Sequence, residues 1–185
     1  MSMFDATPKG TPQPNVYALV AVCEDWGIGF HGGLLVRNSA DMRHFKELTW
    51  DHTVLMGRKT LESFPGSRPL PHRRNIVLTQ SQELAKRSDI EVASTLEEAL
   101  ALAGTDLTWV IGGGATYRAL LPYCSKAIVT INHCVRPADT FFPNLDDASQ
   151  WCARQRITTD EHGDTLTTSE GVAFEYVTYE QTAMD

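Results

Sequence analysis

The stretch GGLLVRNSADMRHFKELTW, residues 32–50, places a carboxylate where a core side chain would be expected. At helical spacing Asp41, Phe45 and Leu48 share one face. An unpaired buried carboxylate is costly and tends to take up a proton. Asp41 therefore has two readings. It is a first-turn residue that complements the helix dipole and faces water, or a pocket residue whose bonding a ligand completes. Three strand ends elsewhere carry chemistry suited to an anion. In VIGGGATY a strand runs into Gly112, Gly113 and Gly114 before a helix begins near Ala115. Glycines let backbone approach a phosphate, and a helix start offers free N–H donors; a tight turn needing positive φ explains them equally well. In VLMGRKT a strand meets Gly57, with Arg58 and Lys59 beside it. Arg suits bidentate phosphate contact, and two solvated surface cations are the plain alternative. In IVLTQS, Thr79, Gln80 and Ser81 close a neighbouring strand. Side by side, the last two ends could form a polar nest for a phosphate monoester, and all three together suit a nucleotide with several phosphates.

The elements that must position these residues are legible as hydrophobic runs. Residues 16–22 (VYALVAV), 52–57 (HTVLMG), 73–80 (RRNIVLTQ), 90–94 (IEVAS), 107–114 (LTWVIGGG) and 126–132 (KAIVTIN) read as strands, several of them buried on both faces. Residues 172–180 (VAFEYVTYE) alternate like a strand with one solvated face. Helices are expected after Asn38 or Ser39 as N-cap, over 58–64, after Ser94 or Thr95 with Gly104 as stop, and over 115–124. The glycine-rich piece CEDWGIGFHGG reads as a mobile loop, and PGSRPLPHRR as a long loop rather than a linker. The pattern predicts a single α/β domain over 16–185. Its central sheet is mixed and mostly parallel, with about eight strands, an antiparallel C-terminal edge and about four flanking helices. Residues 1–15, rich in Pro, Gly and small polar side chains, are expected to be a flexible tail.

Composition narrows the function. The 185 residues suit one sizeable core. A net charge of −7, from 16 Lys+Arg against 23 Asp+Glu, argues against a general nucleic-acid binder but permits a local basic pocket. The 4 cysteines form no C-x-x-C pair and no signal peptide precedes them, so reduced thiols in a cytoplasmic protein are expected. No apolar run is long enough for a bilayer, so no membrane partner is expected. No exposed apolar stripe is evident, which favours a monomer.

Taken in order, WGIGF, ADMRHFK, VLMGRKTLES, RPLPHRRNIVLT, VIGGGATY and DTFFP resemble the blocks of dihydrofolate reductase, of the bacterial chromosomal type, over residues 16–179. The resemblance implies NADPH-dependent reduction of 7,8-dihydrofolate to tetrahydrofolate, with hydride delivered to pterin C6 and a proton reaching N5 through water. It implies that Asp41 accepts hydrogen bonds from the 2-amino group and N3 side of the pterin, supported by the Thr130 hydroxyl. Phe45, Met42, Phe64 and Leu70 would line the substrate cleft. Arg73 would clamp the glutamate carboxylate, with Arg68 and Lys46 at the rim. Val20, Ala21 and Ile111 would present backbone groups, and Tyr117 would stand where pterin meets nicotinamide. For the cofactor it implies Gly112, Gly113, Gly114, Ala115, Thr116 and Thr60 around the pyrophosphate, with a cis peptide between Gly112 and Gly113. Arg58, with Gly57, Lys59, Leu78, Thr79 and Gln80, would form the 2′-phosphate end. Residues 24–33 would form a lid, so that Ile28, Gly29, Gly32, Gly33 and Leu34 meet the nicotinamide. Antifolate inhibitors are implied ligands.

The pattern breaks at Leu35–Val36, where the family usually has a Pro-Trp pair. Val36 cannot donate a hydrogen bond, so the resemblance leaves the proton-delivering water without its usual anchor. Gln80 brings no charge to the 2′-phosphate end, which shifts NADPH preference onto Arg58 and Lys59. Two alternatives stand beside this reading: the NADPH-dependent reductase of riboflavin synthesis, which shares the fold, and a folate- and NADPH-binding protein with impaired turnover.

Overall fold

A computed structural model of the chain describes residues 10–182. It begins with β1 (Gln13–Cys23), β2 (Gly27–Phe30) and β3 (Gly33–Leu34), followed by α1 (Ser39–Thr49), β4 (Thr53–Gly57) and α2 (Arg58–Ser63). Next come β5 (Arg74–Leu78), β6 (Glu91–Ala93), α3 (Leu96–Ala103), β7 (Thr108–Val110) and α4 (Gly114–Leu120). The chain ends with β8 (Cys124–Asn132), β9 (Thr140–Phe141), β10 (Trp151–Ile157) and β11 (Phe174–Gln181). Of the N-terminal stretch 1–15, residues 1–9 lie outside the described residues and 13–15 open β1. Asn15 is pinned there by donating to the carbonyls of Gly104 and Asp106, both at 2.9 Å.

The main sheet has the order β10-β11-β8-β1-β7-β4-β5-β6, eight strands as expected. Strands β8 to β6 in that order run parallel, and β11 is antiparallel to both β8 and β10. β1 shows why its sequence is apolar throughout. Val16, Ala18, Val20 and Val22 point into the core layer shared with α3 and α4, while Leu19 and Tyr17 face the layer shared with α1 and α2. Each of the buried Val and Leu side chains contributes about 1.5–3 kcal/mol relative to exposure. Among the described residues no helix is long and apolar enough to cross a membrane.

Four local departures from the sequence reading have plain causes. The glycine-rich piece is a hairpin, not a loop: His31 (φ 50°) and Gly32 (φ 78°) make a two-residue turn between β2 and β3, and β2 pairs with β9 in a small second sheet. β10 lacks apolar alternation because it is the sheet's solvated edge, exposed from Ala153 onward. The last helix stops at Leu120, where the chain tightens into a 3₁₀ turn through Pro122, which lacks the N–H an α-helix needs. β1 starts earlier than the apolar run because Gln13 pairs with Cys124.

One feature of the register positions everything that follows. β1 pairs with β7 only from Val16 to Ala18, whereas its pairing with β8 continues to Cys23. Beyond Ala18 the sheet splits between β1 and the β7–β4 pair. That split lies at the carboxyl ends of the strands, where the strand order reverses, which is where open α/β sheets bind ligands.

Candidate active site

α1 lies along one side of the split. Asn38 caps it, its side chain accepting the backbone N–H of Asp41 at 3.1 Å. Asp41 is thus a first-turn residue, yet its carboxylate turns inward. Thr130 of β8, 1% exposed, donates its hydroxyl to Oδ1 of Asp41 at 2.5 Å. Burial raises the Asp41 pKa above the ordinary carboxylate value; the Thr130 hydrogen bond and nearby His44 act in the opposite direction. Asp41 lines an open cleft of about 700 Å³ together with Ala21, Ile28, Leu34, Leu35, Val36 and Met42. Asp41 thus lines the cleft although it stands in the first helical turn. Leu35 and Val36, the positions that break the family pattern, form part of the cleft wall.

Around this centre the other substrate candidates separate into groups. Met42 is 54% exposed, at the mouth. Phe45, Phe64, Leu70 and Ile111 are half-buried and pack against the core layer of Leu19, Met56 and Trp109. Val20 is buried in the opposite layer. Lys46 and Arg73 both lie over the ring of Trp50, each 5.0 Å from its centroid. Arg73 also donates Nε–H to the Thr49 hydroxyl at 3.1 Å, and partial burial lowers its pKa despite Asp51 nearby. Arg68 is exposed beyond the 3₁₀ turn Pro65–Ser67. Tyr117 is buried, donating its hydroxyl to the Leu19 carbonyl at 2.6 Å, the first β1 carbonyl past the split; burial raises its pKa.

The other side of the split is built from glycine. The peptide Gly112–Gly113 is cis, and Gly112 has φ 122°. The N–H of Gly57 donates to the Gly112 carbonyl at 2.8 Å, tying the ends of β4 and β7 together. A Cβ at Gly57 would lie 2.5 Å from the Thr116 hydroxyl, and one at Gly112 would lie 3.4 Å from that of Thr60. Only glycine permits the approach at Gly57, and at Gly112 the positive φ is what favours glycine. Gly114, Ala115 and Thr116 occupy the first turn of α4, whose N–H groups have no acceptor within the helix. Gly57 pairs with Leu78, so Arg58 and Thr79 leave the sheet side by side. Arg58 is held in an exposed pair with Glu62 at 3.1 Å, and the Thr79 hydroxyl accepts the Ser81 N–H at 3.2 Å. Lys59 and Gln80 are exposed beside them, and Gly32, Gly33 and Leu34 are exposed on the hairpin, with Gly29 half-buried.

Several cleft features carry signals the sequence reading did not use. Asn132, a lone amide in an apolar strand, lines the cleft with Asn38, Arg37 and Arg43. Trp50, just past the end of α1, is the platform under the two rim cations.

A family model described as dihydrofolate reductase matches residues 15–181. The chain is 45% identical to the dihydrofolate reductase of Mycobacterium tuberculosis over 124 residues, 65% of this chain and 74% of that one. It is 34% identical to the Bacillus subtilis enzyme over 142 residues, 76% and 79% of the two chains. The solved structure of dihydrofolate reductase from Enterococcus faecalis, in complex with NADP(H) and RAB-propyl, superposes with a TM-score of 0.77 at 32% identity, covering 91% of this chain and 96% of that one. With its split sheet, half-buried cleft carboxylate and glycine-built strand ends, the chain belongs to the dihydrofolate reductase family.

Proposed function

We propose that the cleft reduces 7,8-dihydrofolate to 5,6,7,8-tetrahydrofolate in support of one-carbon metabolism, in a protein that acts in the cytoplasm as a monomer. The observation that carries this reading is the inward Asp41 carboxylate, bonded to Thr130 and open to the cleft. A carboxylate in that setting gains two hydrogen bonds from the 2-amino group and N3 side of a pterin. The resulting charge pairing compensates for the desolvation that raises its pKa, and it favours the protonated pterin as N5 gains its proton through water. Thr130 holds the carboxylate in the orientation that receives the heterocycle. Phe45, Phe64, Leu70 and Met42 supply the apolar wall for the ring system. Arg73, preoriented by Thr49 and Trp50, takes the glutamate carboxylate, with Lys46 and Arg68 at the mouth.

The residues at the other end fit NADPH. The glycines clear a path along backbone that any Cβ at Gly57 would obstruct, and the turn from Gly113 to Thr116 offers N–H donors to a pyrophosphate. Arg58 and Lys59, with Thr79 and Gln80, give the 2′-phosphate its partners. When bound, NADPH supplies the hydride for pterin C6. Ala21, Ile28 and Tyr117 exclude water from the junction between the two ligands, and the β2–β3 hairpin covers it. The alternative of a riboflavin-synthesis reductase has no support from the family match or from the relatives.

The test is loss of NADPH absorbance with dihydrofolate as substrate, for the parent chain and for Asp41→Asn. Turnover that collapses in the variant supports the reading. An unimpaired variant removes Asp41 from it, and a parent that binds dihydrofolate without turnover reduces the protein to a binding module.

A further inference from the structure

We propose that Asn38 and Asn132 form a directional amide relay that fixes Asp41 in register with the cleft, making both positioning residues for the reduction. The inference rests on the reading of Asp41 given above. Asn132 is 2% exposed and Asn38 5% exposed. A buried amide without partners is destabilising, so these two need their bonds. The bonds form one chain. Asn132 Nδ2 donates to the Val22 carbonyl of β1 at 3.2 Å. Asn38 Nδ2 donates to Asn132 Oδ1 at 3.3 Å. Asn38 Oδ1 accepts the N–H of Asp41 at 3.1 Å.

Both ends of the relay are backbone groups of fixed polarity, which sets the orientation of each amide between them. The Asp41 N–H requires Oδ1 of Asn38, which turns Nδ2 of Asn38 toward Asn132. The Val22 carbonyl requires Nδ2 of Asn132, which leaves its Oδ1 to accept. Neither side chain can rotate by half a turn without losing two bonds. Thr130 and Asn132 alternate on β8 with Val129 and Ile131, so both face α1. Asp41 is therefore tied to one strand twice: its carboxylate by the Thr130 hydroxyl, its backbone by the two amides. The second tie also reaches β1, so it joins the three elements that border the cleft at this end. It lines the same cleft as Leu35 and Val36, neither of which carries a side-chain donor. An ordinary N-cap needs only the last of the three bonds; the buried partner on β8 exists to set where the cap stands.

The experiment is a double-mutant cycle. Asn132→Leu, the nearest apolar shape, is expected to lower kcat with dihydrofolate about tenfold or more, because small misplacements of a binding group are amplified in the rate. It should shift the midpoint of the kcat–pH profile while leaving the NADPH Kd unchanged. In an Asp41→Asn background the same substitution should change kcat by less than about twofold. Asn38→Ser keeps an N-cap hydroxyl but cannot reach Asn132, and it should repeat the non-additive loss if Asn132→Leu proves too unstable to purify. The same cycle on the dihydrofolate Kd, read by tryptophan fluorescence, serves where turnover is too slow to follow. Equal losses in both backgrounds, or no loss in the parent, overturn the relay. An Asp41→Asn variant with full activity overturns instead the reading on which the relay rests.

Discussion

At the α1 end of the cleft a single charge is held by named side chains: Thr130 on its oxygen, Asn38 on its backbone, Arg73 braced against Trp50 farther out. At the β4–β7 end the walls are main chain. Gly57 bonds Gly112 directly, and the space a side chain would fill is occupied by the Thr116 hydroxyl. The first end fails when a side chain loses its chemistry at constant shape. The second fails when a side chain is added. A substrate that must be told apart from close relatives needs the first kind of wall, and a polyanion with many equivalent oxygens needs the second.

The sharpest test of this contrast is Asp41→Asn, nearly the same shape without the charge. The rate of dihydrofolate reduction at neutral pH is expected to fall about 10²–10⁴-fold, with the NADPH Kd unchanged by equilibrium titration. A parallel loss of NADPH binding would break the separation between the two ends. Gly57→Ala probes the opposite end. Its Cβ would meet the Thr116 hydroxyl at 2.5 Å, so either that side chain or the ends of β4 and α4 must shift. NADPH affinity should drop about tenfold or more, and stability by about 1–3 kcal/mol in a urea melt. Unchanged values would show that the close approach is not required. Arg58→Gln is milder. Its pair with Glu62 is exposed and contributes little to folding, so the melt should hardly move. NADPH should bind about five- to tenfold more weakly, less so at high salt, while NADH is unaffected.

The smallest effect concerns the apo protein. Burial raises the Asp41 pKa above the ordinary 3.8, so the folded state favours the protonated carboxyl. That stabilisation is complete below pH 3.8 and is lost as the pH rises through the elevated folded value. Above that folded value, Asp41 is ionised against its burial and is a burden on the unliganded fold. Asp41→Asn should raise Tm there by about 2–4 °C, an advantage that vanishes toward pH 4. Differential scanning calorimetry at the two pH values checks it, and a lower Tm at pH 7 would contradict the stated cause.

The same contrast explains what was legible in the amino-acid order. Parallel strands buried on both faces announce themselves, and β1, β4, β5 and β8 lie where apolar runs predict. Gly57 and the glycines 112–114 mark strand ends because little else explains their clustering. β10 was silent because a solvated edge strand has no apolar face to alternate. The β2–β3 hairpin hid behind its glycines, which a loop and a two-residue turn use alike. Asn132 stood in plain sight inside KAIVTIN, but its meaning depends on Asn38, 94 positions away, and no local pattern links them. Trp50 had the same difficulty: its value lies in Lys46 and Arg73 meeting over one ring.

β1 outruns β7 by five residues, from Leu19 to Cys23, and that seam has an implication for how the cleft changes over time. On the side facing β7 its main-chain groups have no partner strand, and the Tyr117 hydroxyl already bonds the Leu19 carbonyl. Replacing residues there alters bulk but leaves the carbonyls and N–H groups in place, so a molecule anchored to that stretch keeps its footing through most point substitutions. Escape from a competitive inhibitor should accordingly concentrate on the interchangeable cleft-lining side chains Ile28, Leu35, Val36 and Met42, and leave the strand itself untouched.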